Sequence, residues 1–394
     1  MTKEKVKETS FDGRVKETSF DGRVKASDLQ SENLDERIKY LNAFNQFELI
    51  GPKTLNKIKK HFGSYKKAWG SPTDSFRRAG LKGKVFESLE KRHEIDPDKE
   101  IEKLEKYKIK ILTREDENYP KLLAEIYDPP EILYYLGSPE AFSEFSLAIV
   151  GTRRCTPYGK EVVEYFASEL AQMQLTIVSG LALGIDALAH RATVEASGKT
   201  IGVLGCGLDQ IYPVSNKKLG QDILRSGGAI ISEHPLGSPP LKHHFPIRNR
   251  IISGLSLGVL VIEADQKSGT LLTANHAIEQ NREVFAIPGN VFSARSKGPH
   301  FLIKSGAKLV SEPKDIITEL EIKDIKEYKE TKKVVGDTPD EEKIIKLIAE
   351  TPMEGDKIIK KMNLPASQIN SLLTIMEMKG KIKNLGGGLY TLKR

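Results

Sequence analysis

Cysteine is almost missing from this 394-residue chain: Cys155 and Cys206 are its two. Two thiols cannot build a disulfide scaffold or a four-ligand structural zinc site, and they fit a reducing cytosol. Long apolar runs are missing too. No stretch approaches the ~18 apolar residues that a membrane helix needs, so no membrane partner is expected. The N-terminus, MTKEKVKETSFDGR, is polar and mixed in charge, unlike a secretory signal. Neither G-x-G-x-x-G nor a P-loop lysine follows an apolar run, which argues against a dinucleotide or nucleoside triphosphate. No cofactor is expected.

What is present reads as a water-soluble chain of two or three domains. It is 39% hydrophobic and 29% charged, with a net charge of +7 that favours polyanionic partners. Residues 1–30 carry a nine-residue tandem repeat, VKETSFDGR at 6–14 and again at 15–23. Two such copies bury nothing, so a disordered tail is expected. Residues 35–105 alternate short helical patterns with glycine turns. Within them LIGPKTLNKIKKHFG resembles half of a helix-hairpin-helix, yet Gly51 is followed by Pro52 and Lys53 rather than by the usual G-x-G turn; a plain helical packing domain reads as well. Residues 319–338 form a charged linker, and 339–394 read as three helices and a hairpin turning at Gly386–Gly388, a winged helix. The third of those helices, ASQINSLLTIMEMKG, has few side chains able to reach base edges, so the winged helix is not expected to read duplex sequence.

Between these lies an α/β core, assigned to 106–318. Six apolar runs recur with amphipathic helices between them: LAIVG, LTIVSG, TIGVLG, GAIIS, LGVLVIEA and EVFAIPG. That pattern predicts a doubly wound, Rossmann-like parallel sheet covered on both faces. Ligands of such sheets bind beyond the carboxyl ends of the strands, where helix N-termini offer free amides. The post-strand loops therefore supply the candidates. Gly151, Thr152, Arg153 and Arg154 follow the first run. Ser179 and Gly180 follow the second, with Asp186 and His190 one turn apart beyond them. That pair could be a general acid and base, part of a metal site, or a helix cap with an internal hydrogen bond; no third ligand follows, which favours the cap. The segment SEHPLGSPPLKHHFPIRNRIISGLS gathers Lys242, Phe245, Arg248, Asn249 and Arg250 on what reads as an extended path before a helix. Cations interleaved with an aromatic ring suit a single nucleic-acid strand, charge for backbone and ring face for base. The adjacent His243 and His244 are not read as a metal site, because sequence neighbours point apart and no carboxylate cluster accompanies them. Lys267, Ser268, Gly269 and Thr270 open one more helix. Lys199 precedes its strand and by itself is a solvated charge.

These motifs, in this order, resemble the DprA/Smf family, the DNA-processing proteins of natural transformation. IVGTRRCTPYG, VSGLALGIDALAH, GKTIGVLGCGLDQIYP, the basic segment above, VIEADQKSGTLLTANHAIEQNREVFAIPGN and GPHFLIKSGAKLV carry the resemblance across nearly the whole core. The helical front, SAM/helix-hairpin-helix-like, and the winged tail match longer members. The resemblance implies a cytoplasmic homodimer that binds single-stranded DNA without hydrolysing it, shields it and loads RecA on it. It implies DNA contact by Arg153 and by Lys199, and dimer contact near His300 and Leu309. The rival class is a Rossmann-like nucleotide or N-glycosyl hydrolase with a PGGxGT loop, which Ser268–Thr270 matches weakly and without an apparent catalytic glutamate.

Overall fold

Alternate residues of each central strand bury on opposite faces, which is what a sheet covered on both sides demands. In β3 (Ser146–Val150), Leu147 and Ile149 enter one apolar cluster while Ala148 and Val150 enter another. The same alternation runs through the neighbouring strands, with Leu260 and Phe285 on the first face and Val259, Val261 and Val284 on the second. The computed structural model describes residues 34–322, 336–348, 352–362 and 364–392. The nine-residue repeat and most of the charged linker lie outside them.

Six helices come first: α1 (Leu34–Asn45), α2 (Pro52–Phe62), α3 (Tyr65–Gly70), α4 (Asp74–Arg78), α5 (Gly83–Glu90) and α6 (Pro97–Lys106). Phe44, Leu55, Ile58, Tyr65, Phe76 and Leu89 form their core. This core is continuous with the sheet: Leu41, Phe44 and Leu55 share one apolar cluster with Tyr134, Leu181, Leu204 and Ile230. Polar bonds fix the seam. Tyr134 donates to Asn42 Oδ1 at 2.7 Å, and Asn45 Nδ2 donates to the Glu233 carbonyl at 3.0 Å.

The chain then enters β1 (Lys110–Thr113), α7 (Lys121–Ala124) and β2 (Ile132–Gly137) before β3. The rest of the core alternates α8 (Pro157–Gln172), β4 (Thr176–Ser179), α9 (Ile185–Glu195), β5 (Thr200–Val203), α10 (Lys217–Arg225), β6 (Ala229–Ser232), α11 (His244–Gly254), β7 (Gly258–Val261), α12 (Thr270–Glu279), β8 (Glu283–Ala286), α13 (Lys297–Lys304), β9 (Lys308–Leu309) and α14 (Pro313–Glu319). The nine strands lie in the order β1-β2-β6-β5-β4-β3-β7-β8-β9. β3 to β9 are mutually parallel, and β1 and β2 add an antiparallel edge. The six apolar runs of the sequence are β3 to β8. The order reverses between β3 and β7, so the switch point falls where their two loops leave the sheet.

The C-terminal unit is a winged helix: α15 (Pro339–Ile348), β10 (Met353–Glu354), α16 (Gly355–Met362), α17 (Ala366–Met378), β11 (Ile382–Asn384) and β12 (Leu389–Leu392), with strand order β10-β12-β11. Ile344, Ile358, Ile369, Leu373, Met376 and Ile382 fill its core, leaving Ile375 and Met378 exposed on α17. Gly386, Gly387 and Gly388 all take positive φ at the tip of the hairpin, a path that side chains disfavour. Lys381, at its base, is paired with Asp337 and the buried Glu341.

The Asn42–Tyr134 bond joins two units through a buried polar contact. Tyr134→Phe should leave Asn42 Oδ1 without its donor and lower unfolding stability by about 1–3 kcal/mol. Urea denaturation at neutral pH would show this as a lower midpoint at unchanged slope.

Candidate nucleic-acid interface

Three loops meet above the switch point, and small residues let them meet. A Cβ on Gly151 would sit 2.5 Å from the Ile185 side chain, and one on Gly184, where φ is +77°, would sit 2.3 Å from the Thr152 carbonyl oxygen. Thr152 N donates to the Glu263 carbonyl at 2.8 Å, and Ile185 N donates to the Thr152 carbonyl at 3.2 Å. The loops after β3, β4 and β7 are thereby laced together. Above them opens a pocket of about 730 Å³, lined among others by Thr152, Arg153, Arg154, Tyr212, Lys242, Phe245, Arg248, Asn249, Ser268, Gly269, Thr270 and Arg295.

The helix N-termini are less free than the sequence suggests. At α8, Thr156 Oγ1 accepts from Gly159 N at 3.1 Å, while Thr156 N and Oγ1 donate to the buried Glu263 carboxylate at 2.9 and 2.6 Å. At α9, Ile185 N and Ala187 N donate to the Thr152 and Ala182 carbonyls at 3.2 and 3.1 Å. At α12, Ser268 Oγ accepts from Thr270 N at 3.2 Å. The chain's own oxygens hold these amides, so the attraction for an anion rests on side-chain cations.

Those cations divide sharply. Arg153, Arg154 and Lys242 are exposed at the pocket. The Arg153 guanidinium lies 5.8 Å from the centre of the Phe245 ring, and the Tyr212 ring lies 5.7 Å from that ring, tilted by 32°. Arg248 instead forms the floor. It is buried, and its Nη1 donates to the carbonyls of Gly180, at 2.8 Å, and Val203. Burial lowers its pKa to about 10, with nearby Asp186 pulling upward, so it stays charged at neutral pH. Arg250 turns the other way, to Glu233 and, at 3.3 Å, Asp128. The sequence reading put both arginines on an extended path, but α11 already begins at His244. Two positions apart on a helix, they face roughly 200° from each other.

Other expected residues also land elsewhere. Lys199 stands at the amino end of β5, opposite the pocket, and its Nζ donates to the Glu140 carbonyl at 3.1 Å. A residue before a parallel strand and a residue after one lie at opposite ends of the sheet, which is why Lys199 cannot join the rim. Ser179 is buried, its Oγ donating to the Ile149 carbonyl at 2.7 Å. Asn249 Nδ2 reaches the Gly269 carbonyl at 3.5 Å, spanning α11 and the loop before α12. Lys267 is exposed on that loop, next to the lining residue Ser268. His300 turns inward to the Gly289 carbonyl at 3.2 Å, whereas Leu309 is exposed on the edge strand β9. Tyr212 was missed; an aromatic side chain in a post-strand loop, two residues after Gln210 in GCGLDQIYP, was the signal for it.

Asp186 and His190 do not face one another as acid and base. Thr200 Oγ1 donates to the Ile177 carbonyl at 2.6 Å and so accepts from His190 Nδ1, 2.7 Å away. The internal hydrogen bonds are what the structure contains; the expected cap is not, because α9 is capped by Gly184 without a side-chain bond and Asp186 holds the Gly180 loop amide instead.

Fold and site together define an extended Rossmann-like protein whose switch point carries exposed cations and an aromatic pair in place of a nucleotide-binding fingerprint. The chain belongs to the family of the DNA recombination-mediator protein A, whose model matches residues 110–321; the DprA winged helix domain matches 329–388. It is 40% identical over 293 residues to Protein Smf of Escherichia coli, covering 72% of this chain and 78% of that one. Over 206 residues it is 47% identical to the DNA processing protein DprA of Streptococcus pneumoniae, covering 52% of this chain and 72% of that one. The X-ray structure of DprA from Streptococcus pneumoniae superposes with a TM-score of 0.62 at 39% identity, covering 72% of this chain and 96% of that one.

Burial, reinforced by the Arg248 charge, pushes the His190 imidazole down to about 3. The unfolded chain binds that proton near pH 6.5. Between the two values the unfolded state holds more protons, so stability falls as pH falls, by up to about 1.4 kcal/mol per pH unit for this group. Urea titrations at pH 6 and pH 5 should show a loss about 1 kcal/mol smaller in His190→Gln than in the unmodified protein. Equal losses would mean that His190 titrates normally in the fold.

Proposed function

We propose that this rim binds single-stranded DNA, and that the protein shields incoming strands and loads RecA on them during transformation and recombination. One observation carries the reading: Arg153 and Lys242 stand exposed beside the Tyr212–Phe245 ring pair in one pocket at the switch point. Cations at that position neutralise phosphates, and an accessible ring face takes an unpaired base, which a duplex keeps stacked. Membership in a family of recombination mediators, with relatives named DNA processing proteins, supports the role upstream of a recombinase. The chain acts in the cytoplasm and without chemistry of its own. Asp186 and His190 are committed to internal bonds, and burial raises the Cys155 thiol and pushes Cys206 up to about 11, the reverse of an activated nucleophile. The winged helix adds contacts without reading sequence, and exposed Ile375 and Met378 suit a protein partner better than a phosphate.

Fluorescence anisotropy with labelled oligonucleotides tests the rim. Affinity should fall with salt. Arg153→Ala and Lys242→Ala should each weaken binding for all sequences and flatten the salt slope by about 0.7. Phe245→Ala should cost about 1–3 kcal/mol while leaving that slope nearly intact. Lys199→Ala should change nothing. Salt-independent binding, or turnover of a nucleoside monophosphate, would overturn the reading.

The protein acts as a homodimer through the outer edge of the sheet. Its last strand, β9, is two residues long and exposed, and Phe301 and Leu309 both stand about half exposed there. Val291 and Phe292 are more exposed still in the loop before α13. Leu309→Arg should convert a dimer to a folded monomer in light scattering, with His300 left intact because it holds Gly289. A variant that kept the dimer mass would refute this interface.

A further inference from the structure

The loop after α1 brings Glu48 to the start of α11, where His243 and His244 stand. Nothing local in the sequence joins them, since 195 positions separate Glu48 from His243. His243 Nε2 lies 3.1 Å from Glu48 Oε1, and His244 Nε2 lies 3.7 Å from the same oxygen. One donor atom from each residue falls within 4.8 Å of the other two. The usual objection, that neighbouring side chains diverge, fails at this helix start, where the two rings meet nearly edge to face with centroids 4.5 Å apart.

We propose that Glu48, His243 and His244 form a binding site for a divalent transition-metal ion of the zinc type. The donor set, two imidazoles and one carboxylate, suits a borderline ion. Zinc bonds of about 2.0–2.2 Å in tetrahedral array place donor atoms roughly 3.3 Å apart, and the two separations above bracket that value. Orientation of the buried ligand is the stronger point. His244 Nδ1 lies 3.2 Å from the Gly205 carbonyl, which can only accept, so Nδ1 carries the proton and Nε2 keeps its lone pair. That Nε2 is buried and has no hydrogen-bond partner among the described residues, although its side chain is 95% enclosed. A buried acceptor aimed at a carboxylate and a second imidazole is costly unless a cation completes it.

His234 is not a ligand. Its ring stacks on His244 with centroids 4.0 Å apart and planes 20° apart. Lone pairs of nearly parallel rings cannot converge on one ion, so His234 serves to hold the His244 ring in place. Three protein ligands leave at least one position for water. Entry is open, because Glu48 and His243 are both more than half exposed and border a pocket of about 680 Å³. The ion would bridge the N-terminal helical unit to the helix that carries Phe245, and this holds whether or not the rim binds DNA.

The test uses the full-length chain stripped with a chelator and titrated with Co²⁺, then displaced by Zn²⁺. One ion per chain is expected, with the visible bands of low-symmetry cobalt, and the thermal midpoint should rise with Zn²⁺. Glu48→Gln and His243→Ala, both at exposed positions and checked for folding by circular dichroism, should each weaken binding by more than about tenfold, whereas Cys155→Ser should not. Absence of saturable cobalt binding, or binding that the Glu48 and His243 variants leave unchanged, would overturn the site.

Discussion

Everything at the rim depends on one buried guanidinium. Arg248 reaches from α11 to the carbonyls of Gly180 and Val203, the exits of β4 and β5, and faces Asp186 at the start of α9. Asp186 in turn holds the Gly180 amide. Two strand exits and two helices, α9 and α11, are thus tied to a single buried charge. Removing the guanidinium would leave the Gly180 and Val203 carbonyls without their buried donor, at about 1–3 kcal/mol per group. Gly180 is the space this arrangement needs: a Cβ there would sit 2.7 Å from both the Arg248 guanidinium and the Asp186 carboxylate.

This division of labour among cations follows from burial. A charge taken out of water must find compensation, and Arg248 and Arg250 find it within the fold. Arg153, Arg154 and Lys242 remain in solvent, where a phosphate can exchange for water at small desolvation cost. Arg295 is intermediate, paired with Asp265 at the pocket's edge. The electrostatic face of the rim is therefore narrower than the count of Lys and Arg in these loops implies. It is concentrated around the aromatic pair rather than spread along the sheet.

The fold was legible because its signal is periodic. Continuous apolar runs separated by amphipathic helices admit few arrangements, and the six runs became six neighbouring parallel strands. The triple glycine of the wing was equally plain. The site was legible only in part. That loops after strands share one rim follows from topology, so Arg153 and Lys242 could be placed together. Which way a side chain turns could not be seen. Arg248 and Arg250 look alike in sequence, and only the helical phase of α11, starting at His244, separates them by most of half a turn. Lys199 was assigned to the pocket by resemblance, although its place before a strand already put it at the other end of the sheet. Contacts across long separations, such as Glu48 with His243 or Tyr134 with Asn42, leave no local trace at all.

α11 is where these strands of reasoning converge. Its first turn carries His244, inward toward Gly205, and Phe245, outward beneath Arg153. Its second turn carries Arg248 into the knot and Arg250 toward Glu233, whose backbone carbonyl also receives Asn45 from the N-terminal unit. Pro246 is tolerated because it falls in the first turn, where its missing amide proton has no intrahelical acceptor to serve. One eleven-residue helix thus sets the floor of the pocket, presents its aromatic face and meets the seam with the helical front. A shift of this helix along its axis would move all three together, since each is fixed to it by a buried bond or ring contact. That coupling gives the N-terminal unit a physical route to the rim, although none of its described residues lines the pocket.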